Sequence, residues 1–574
     1  MDLEIKEKPW GREIWYAVTD RYAGKILEVK AGQALSLQYH RRKKETLYVQ
    51  EGKGKLQLGD EILEVGPGQA FTIEPGTIHR IEAITDLRIL EVSTPELDDV
   101  VRLEDRYGRV DGTAARAPFE PVPEIYRSYD IRGTYGKNLT EEDARRLGWA
   151  VADLVREKGE DRVLLCRDAR ASSPALATAL AQGLMEGGVN VLDLGEGISP
   201  LLYWAREFYG VDGAVMVTGS HNPKEENGFK VALGPGTLYG EAIRDLYFRS
   251  QNEPKGVPRG RHRFLNPIPS YVDMMAGRIQ LERELHVVVD AGNGAAGPIA
   301  PLVYRRLGAR VTELYCRPDP EFPHHHPDPV VPENLRDLQK KVVELGADVG
   351  LAFDGDGDRL GVVDDQGNIL WGDLLMILFW REILPKYPGA TALVEVKCSQ
   401  ALPEEIERLG GKPEFTRTGH SYVKARLRET GAPFAGEMSG HFFFADEYYG
   451  FDDAVYAGAR LLRILSREGK KLSQLTNDIP RYPVTPETRV YCPEGRKEEV
   501  IEGIQAYFQG RYPLLLVDGV RVQFPGGWAL VRASNTQEVL VLRAEGKTER
   551  DLLEIKAAME EALRPYYFLG PIPW

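Results

Sequence analysis

Residues 349–370 read VGLAFDGDGDRLGVVDDQGNIL. An apolar run leads into three aspartates separated by single glycines, then an arginine, then a second apolar run. Short apolar runs bounded by Gly and Asp read as buried strands. Polar residues just beyond such strands are where α/β sheets gather ligands. In an extended chain Asp354, Asp356 and Asp358 face one way, and Gly355 and Gly357 let the backbone close around what they hold. Three carboxylates and the Arg359 guanidinium leave two net negative charges, matching one divalent cation. Oxygen-only ligands favour Mg²⁺ or a similar hard ion. The EF-hand pattern fails, because Arg359 stands at its sixth position and Asp365 at its twelfth.

Working outward, strand runs alternate with amphipathic helical runs from about residue 125. RVLLCRDAR is followed by SPALATALAQGLMEGG, LHVVVDAGNGAAG by PIAPLVYRRLG, and TALVEVKCS by QALPEEIERLGG. This is α/β architecture repeated. The strand ends at Arg167, Asp290 and Lys397 lie one small domain apart. The tail holds two helical runs and the strands RVQFPG, WALVRAS and EVLVLRAEG, an α+β pattern. The first hundred residues show only short alternating runs punctuated by Gly and Pro, which predicts an all-β barrel or sandwich. The expected divisions are 1–109, a Pro- and Ala-rich linker 110–123, then 124–268, 269–372, 373–482 and 483–574.

The chain has 574 residues, more than one core holds, and a formal net charge of −14. That charge argues against a general nucleic-acid binder, while local basic clusters still suit a small anionic substrate. Four scattered cysteines with no CxxC argue against disulfides and thiolate zinc. The first residues lack the apolar core of a signal peptide, and LLMILFW is the longest apolar run. A cytoplasmic protein without a membrane partner is expected.

Two further clusters follow strands. TGSHNP, residues 218–223, places Ser220 on a sharp exposed turn, with Lys224 and Lys230 close in sequence. It does not match the hydrolase elbow, since Asn222 replaces a required Gly. A serine near cations suits phosphoryl chemistry; the alternative is a turn capped by Ser and Asn. RASNT, residues 532–536, offers a guanidinium, hydroxyls and an amide to a phosphate, or is only a capping loop. The histidines of FPHHHPDP, His324 to His326, read as a structural loop between prolines, and DAGNGAAG lacks the spacing of a dinucleotide fingerprint.

Taken in order, YRSYDIRGTYG, TGSHNP, NGFK, FDGDGDR, EVKCS, RTGHSYVK, GEMSGH and RASNT resemble the α-D-phosphohexomutase superfamily over residues 124–574. The phosphomannomutase/phosphoglucomutase branch is most similar. Gly219, where the family more often has Ala, and Glu538, in place of a common proline, depart from it. The resemblance implies three α/β domains and a C-terminal α+β domain, with Ser220 as a phosphoserine. It implies Mg²⁺ on Asp354, Asp356, Asp358 and Ser220, and a hexose 1,6-bisphosphate intermediate. Arg132 and Lys230 match residues that balance the incoming charge and handle the hydroxyl proton, with His221 and His441 beside them. Arg532, Ser534, Asn535 and Thr536 would hold the distal phosphate. Lys397, Gly419, His420 and Arg359 resemble further substrate contacts, while Glu437 and Ser439 would read sugar hydroxyls. Met438 resembles the branch that tolerates mannose and glucose.

In the β region, GQALSLQYHRRKKETLYVQEG and EPGTIH place Gln38 and His40 on one face of a strand, with Glu45 and His79 after them. Two imidazoles, a carboxylate and an amide oxygen suit Zn²⁺ or another divalent transition metal. Gly32, Gln38, His40, Glu45 and Gly52 resemble the cupin motif. KPWG, SLQYH and LDDVVRLEDRYGR narrow the resemblance to type II phosphomannose isomerase. Lys43, the Thr46-Leu47 pair and the lack of an Asn after His79 depart from it. The resemblance implies conversion of fructose 6-phosphate to mannose 6-phosphate, with Lys43, Arg102 and Arg109 as phosphate or enediolate candidates. The base is not assigned. The expectation is therefore a bifunctional enzyme feeding activated-mannose (GDP-mannose) synthesis. The rival readings are a non-catalytic sugar-phosphate-binding or homodimerising cupin, and a mutase that is chiefly a phosphoglucomutase.

Overall fold

The computed structural model describes residues 4–19, 21–40, 43–58, 61–73, 77–96, 100–104, 124–127, 130–493, 495–534 and 538–574, the side chains of 4, 61 and 101–104 excepted. Arg109, Asn535, Thr536 and the expected linker lie outside the described residues, as does the side chain of Arg102. The chain forms two compact units, Met1–Pro123 and Glu124–Trp574.

The described residues of the first unit form two β-sheets. One runs, in spatial order, Glu4–Lys8, Gly11–Val18, Ala23–Val29, Leu87–Ser93, Glu45–Glu51 and Ala70–Ile73. The other runs Val101–Glu104, Leu37–Tyr39, His79–Ala83, Gly54–Leu58 and Glu61–Val65. The observed pairings are antiparallel, so alternate residues point inward. Leu27, Val29, Leu47, Val49, Leu56, Ile81 and Ile89 form the core between the sheets. Gln38 pairs with His79, and Glu45 with Ser93 and Ile73, which brings the polar candidates to one end of this interior.

Among the described residues the second unit holds four sheets, three of which repeat one plan. Parallel strands occupy the centre, and one of them returns through a short turn into an antiparallel neighbour. Gly213–Val217 returns as Glu226–Leu233, Val349–Phe353 as Leu360–Asp364, and Phe434–Gly436 as Phe442–Phe444. The turns are TGSHNPKE, DGDGDR and EMSGH. The three polar motifs thus occupy the same topological position in three successive sheets. The fourth sheet is antiparallel, ordered Thr488–Tyr491, Val539–Gly546, Gly527–Ala533, Val520–Phe524 and Leu514–Leu515, and is packed by the helices Lys497–Phe508 and Glu549–Leu563. One apolar cluster runs from Leu164 through Val289 and Trp380 to Leu465, so the three α/β layers share buried surface, while the C-terminal sheet keeps its own core. Among the described residues no helix is long and apolar enough to cross a membrane.

Phe379 is fully buried and meets Phe434, Phe442 and Phe444 edge-on at centroid distances of 5.6, 5.3 and 5.0 Å. Those partners flank the EMSGH turn. Phe379→Ala is expected to cost about 3–5 kcal/mol, read as a lowered midpoint of thermal unfolding.

Candidate active site

Ser220 adopts φ +49°, a left-handed conformation costly for a residue with a side chain. The turn is expected from sequence to be exposed, but Ser220 is 3% exposed. The second α/β sheet covers it: a Cβ on Gly355 would lie 2.4 Å from the Ser220 carbonyl oxygen, so only glycine fits there. The Ser220 hydroxyl donates to Asp354 Oδ2 at 2.8 Å and lies 3.2 Å from His221 Nδ1.

The aspartates do converge, though by another route than extended alternation. Residues 354–359 form a turn in which Gly357 N donates to the Asp354 carbonyl and Gly357 has φ +71°. Each of Asp354, Asp356 and Asp358 offers an oxygen within 4.8 Å of the others, and all three are fully buried. Burial, then repulsion from Asp358 and Asp356, pushes the Asp354 carboxyl well above its ordinary pKa. Burial also opposes charge on Asp358, but Lys230 and His441 overcome it and hold that carboxyl well below the usual range. Asp356 Oδ1 is buried and accepts no hydrogen bond from the described residues. Clustered acids with a spare buried oxygen fit a hard divalent cation.

Lys230 lies on the return strand, and its ammonium reaches Asp356 at 2.6 Å and Asp358 at 2.5 Å. Despite burial, Asp356 and Asp358 raise its pKa well above the ordinary value. Lys224, the other lysine of that stretch, points away to Glu321 and is exposed. Arg132 bonds Asn222 Oδ1 at 2.6 Å and pairs with Asp130 at 2.6 Å. His221 is half-buried, and desolvation, with Arg359 and Arg132, pushes its pKa well below normal. Arg359 donates its backbone N–H to Asp354 and approaches His441 with Nε at 3.4 Å.

The EMSGH turn joins the same cleft. His441 sits between Glu437 at 2.9 Å and Asp358 at 3.3 Å. Burial opposes its charge, but Asp358 and Glu437 prevail and raise its pKa to about 9. Glu437 accepts from Gly419 N at 2.6 Å, and Ser439 Oγ is 3.1 Å from His441 Nδ1. His420 pairs with Asp452 at 3.0 Å and lies nearly parallel to His441 with centroids 5.7 Å apart. Lys397 bonds Glu487 at 3.1 Å. Arg532 pairs with Asp518 at 2.9 Å, and Asp518 also accepts from Thr418 N. Ser534 offers its carbonyl to Lys497.

Sequence reasoning missed several supports. Ser199, at the first turn of a helix, donates to Asp356 at 2.5 Å. Asp168 accepts from Thr218 Oγ1 and Gly219 N, and Arg170 bonds four carbonyls around Ser220. The Arg170 guanidinium fills the space a Cβ on Gly219 would need, its nearest atom being 2.6 Å away, which accounts for glycine there. The only signal was RDARASS at a strand end.

In the first unit His40, Glu45 and His79 also offer atoms within 4.8 Å of one another, all buried. His79 Nε2 is 3.0 Å from Glu45, and His40 Nε2 is 3.4 Å from it. Burial opposes the Glu45 charge, but His40, His79 and Lys43 outweigh it and keep its pKa well below normal. Gln38 stands beside them with its amide oxygen toward Ser36 and its nitrogen toward His79 at 3.4 Å. Exchange of the two amide atoms would turn the oxygen inward. A cavity of about 20 Å³, room for little more than an ion or a water, is lined by Gln38, Glu45, His79 and Glu91. Lys43, expected near an anionic substrate, is instead buried across Glu45 and Glu91.

Models of phosphoglucomutase/phosphomannomutase alpha/beta/alpha domains I, II and III match residues 123–253, 264–367 and 371–482, and that of the C-terminal domain matches 487–562. A phosphomannomutase/phosphoglucomutase of Pseudomonas aeruginosa is 42% identical over 463 residues, spanning 80% of this chain and 100% of that one. The chain belongs to the phosphoglucomutase/phosphomannomutase family. A phosphoglucomutase of Neisseria gonorrhoeae is also 42% identical, over 75% of this chain and 95% of that one. A solved structure of a phosphoglucomutase/phosphomannomutase family protein from Burkholderia thailandensis superposes with TM-score 0.75 at 42% identity, covering 79% of this chain and 99% of that one. The architecture is thus three phosphohexomutase α/β domains and a C-terminal domain. They follow an N-terminal cupin domain, whose model matches residues 25–93.

Proposed function

We propose that the chain performs two consecutive sugar-phosphate isomerisations. The cupin converts fructose 6-phosphate to mannose 6-phosphate, and the mutase unit converts mannose 6-phosphate to mannose 1-phosphate for GDP-mannose synthesis in the cytoplasm. What carries the mutase reading is the Ser220 hydroxyl 2.8 Å from Asp354 within a buried nest of three acids.

Phosphorylated Ser220 donates to the free hydroxyl of the bound hexose phosphate. The P–O bond to Ser220 and the sugar O–H bond break, a P–O bond to the sugar forms, and the proton passes to Ser220 Oγ, giving a hexose 1,6-bisphosphate. After that intermediate turns over, its other phosphate returns to Ser220. Phosphoryl transfer depends mainly on positioning and charge neutralisation. Asp354, Asp356 and Asp358 would hold a Mg²⁺, whose chemistry would be part of that neutralisation. Lys230 and Arg132 offset the negative charge brought by the second phosphate. Arg532 and Ser534, with Asn535 and Thr536, hold the distal phosphate. Lys397, Gly419, His420 and Arg359 line the sugar's path, and Glu437, Ser439 and His441 read its hydroxyls. Met438 leaves glucose phosphates acceptable too.

In the cupin, His40, Glu45 and His79 with Gln38 would hold a divalent metal, whose chemistry is polarisation of the sugar carbonyl. A second reading makes the cupin a non-catalytic binding or dimerising module. It is favoured by Lys43, which already neutralises Glu45. Purified enzyme given fructose 6-phosphate with Zn²⁺, Mn²⁺ or Co²⁺ decides between them. Mannose 6-phosphate is expected to accumulate; none with any of the three ions leaves the second reading standing.

A further inference from the structure

The triple histidine of residues 324–326 is not part of the chemistry above, yet its three rings do different work. His324 stacks on Tyr315 at a centroid distance of 3.8 Å and bonds Asn293 Oδ1 at 2.8 Å. His325 sits 3.1 Å from both oxygens of Asp290, at the end of a strand of the second sheet. These two tie the loop to its own domain. The third ring turns the other way: His326 Nε2 lies 2.5 Å from the carbonyl oxygen of His221, the residue after Ser220. A contact between a ring nitrogen and a carbonyl requires the nitrogen to carry the proton.

This loop meets the serine turn at two more places. Phe322, itself at φ +48°, lies under the Arg170 guanidinium at 5.7 Å. Glu321 pairs with Lys224 at 2.6 Å. Arg170 in turn donates to the Ser220 carbonyl at 2.7 Å, and Ser220 N donates to Thr218 Oγ1 at 2.8 Å. Three backbone groups around the strained serine are therefore held: its N–H by Thr218, its own carbonyl by Arg170, and the next carbonyl by His326. A left-handed serine persists only where its surroundings over-determine it. In the relaxed right-handed or extended region the Oγ would leave the direction of Asp354.

We infer that the 319–328 loop is a clamp in which His326 is a positioning residue, holding the Ser220 turn in its strained conformation so that the hydroxyl faces the aspartates of the neighbouring domain. The inference rests on the phosphoserine reading of Ser220. It also gives the three adjacent histidines separate work: two anchor the clamp and one reaches across.

The test compares His326→Leu with His326→Gln in the full-length enzyme. Glutamine places an amide N–H at about the reach of Nε2, whereas leucine fills the space without a donor. Mannose 1-phosphate turnover is measured with glucose 1,6-bisphosphate as activator, and kcat is divided by the phosphoserine content from intact mass. With leucine, kcat per phosphoserine should fall about 10- to 100-fold, the size expected of a misplaced reacting group. KM should change less than about threefold, and glutamine should restore most of the loss. A purely structural role would lower the folded, phosphorylated fraction while leaving the rate per phosphoserine unchanged, and that result overturns the clamp. Equal loss in both variants overturns it as well, since the donor would then be irrelevant. Should Ser220→Ala retain full turnover, the phosphoserine reading fails; should only the His326 variants behave as wild type, the clamp alone fails.

Discussion

Ser220→Ala is expected to lower mutase turnover by at least about a thousandfold, because no other group can carry the phosphoryl between substrates. The Ser220 hydroxyl is the group aimed at the acid nest, with Asp354 2.8 Å away and Lys230 bridging the other two aspartates. Alanine removes only the oxygen, and the strained backbone keeps the contacts from Thr218 and Arg170. The fold should therefore survive, and the midpoint of thermal unfolding should stay within a few degrees. Conversion of mannose 1-phosphate to mannose 6-phosphate reads the loss, and intact mass reads whether phosphate is still taken from glucose 1,6-bisphosphate. Isomerase activity should be unchanged. A variant keeping a tenth of the mutase rate would end the phosphoserine assignment, and joint loss of both activities would end the reading of two independent sites.

The mirror-image result is expected of His79→Ala. His79 Nδ1 faces the Thr77 carbonyl at 2.9 Å, which leaves Nε2 to point at Glu45, where the proposed divalent metal would sit. Removing one imidazole from so small a ligand set should cost one equivalent of bound divalent metal, read by elemental analysis after dialysis. It should lower the fructose 6-phosphate to mannose 6-phosphate rate by at least about a hundredfold, beyond the 10–100-fold loss typical of changes around, rather than at, a metal ligand. Mutase activity should remain. Unchanged metal content in the variant would refute the cupin metal site, whatever happens to the rate.

Much of this was legible from local patterns. The alternation of strand and helix runs, the change to an all-β rhythm before residue 110, and the position of each polar motif just past a strand are properties of short segments. So are the metal-ligand types at 354–358 and at 40, 45 and 79. Less legible was how the aspartates converge. Extended alternation would have sufficed, but the chain instead makes a turn between two antiparallel strands, because Gly357 can take φ +71°. Ser220 reads as exposed on its own turn, whereas a second sheet closes over it and it is buried.

What the sequence by itself determined, then, is the inventory: strands, helices, a phosphohexomutase motif set, and two groups of side chains able to hold a metal. Only the tertiary structure decided the partnerships. Ser220 and Asp354 are 134 residues apart, Ser199 and Asp356 157, and His221 and His326 105. No local periodicity encodes such pairs. They arise because three sheets of the same plan turn their return loops toward one cleft and bury apolar surface together behind it. Neighbouring carboxylates then act against burial, Asp356 and Asp358 raising the Lys230 pKa and Asp358 and Glu437 that of His441, while Arg170 and His326 hold a strained serine.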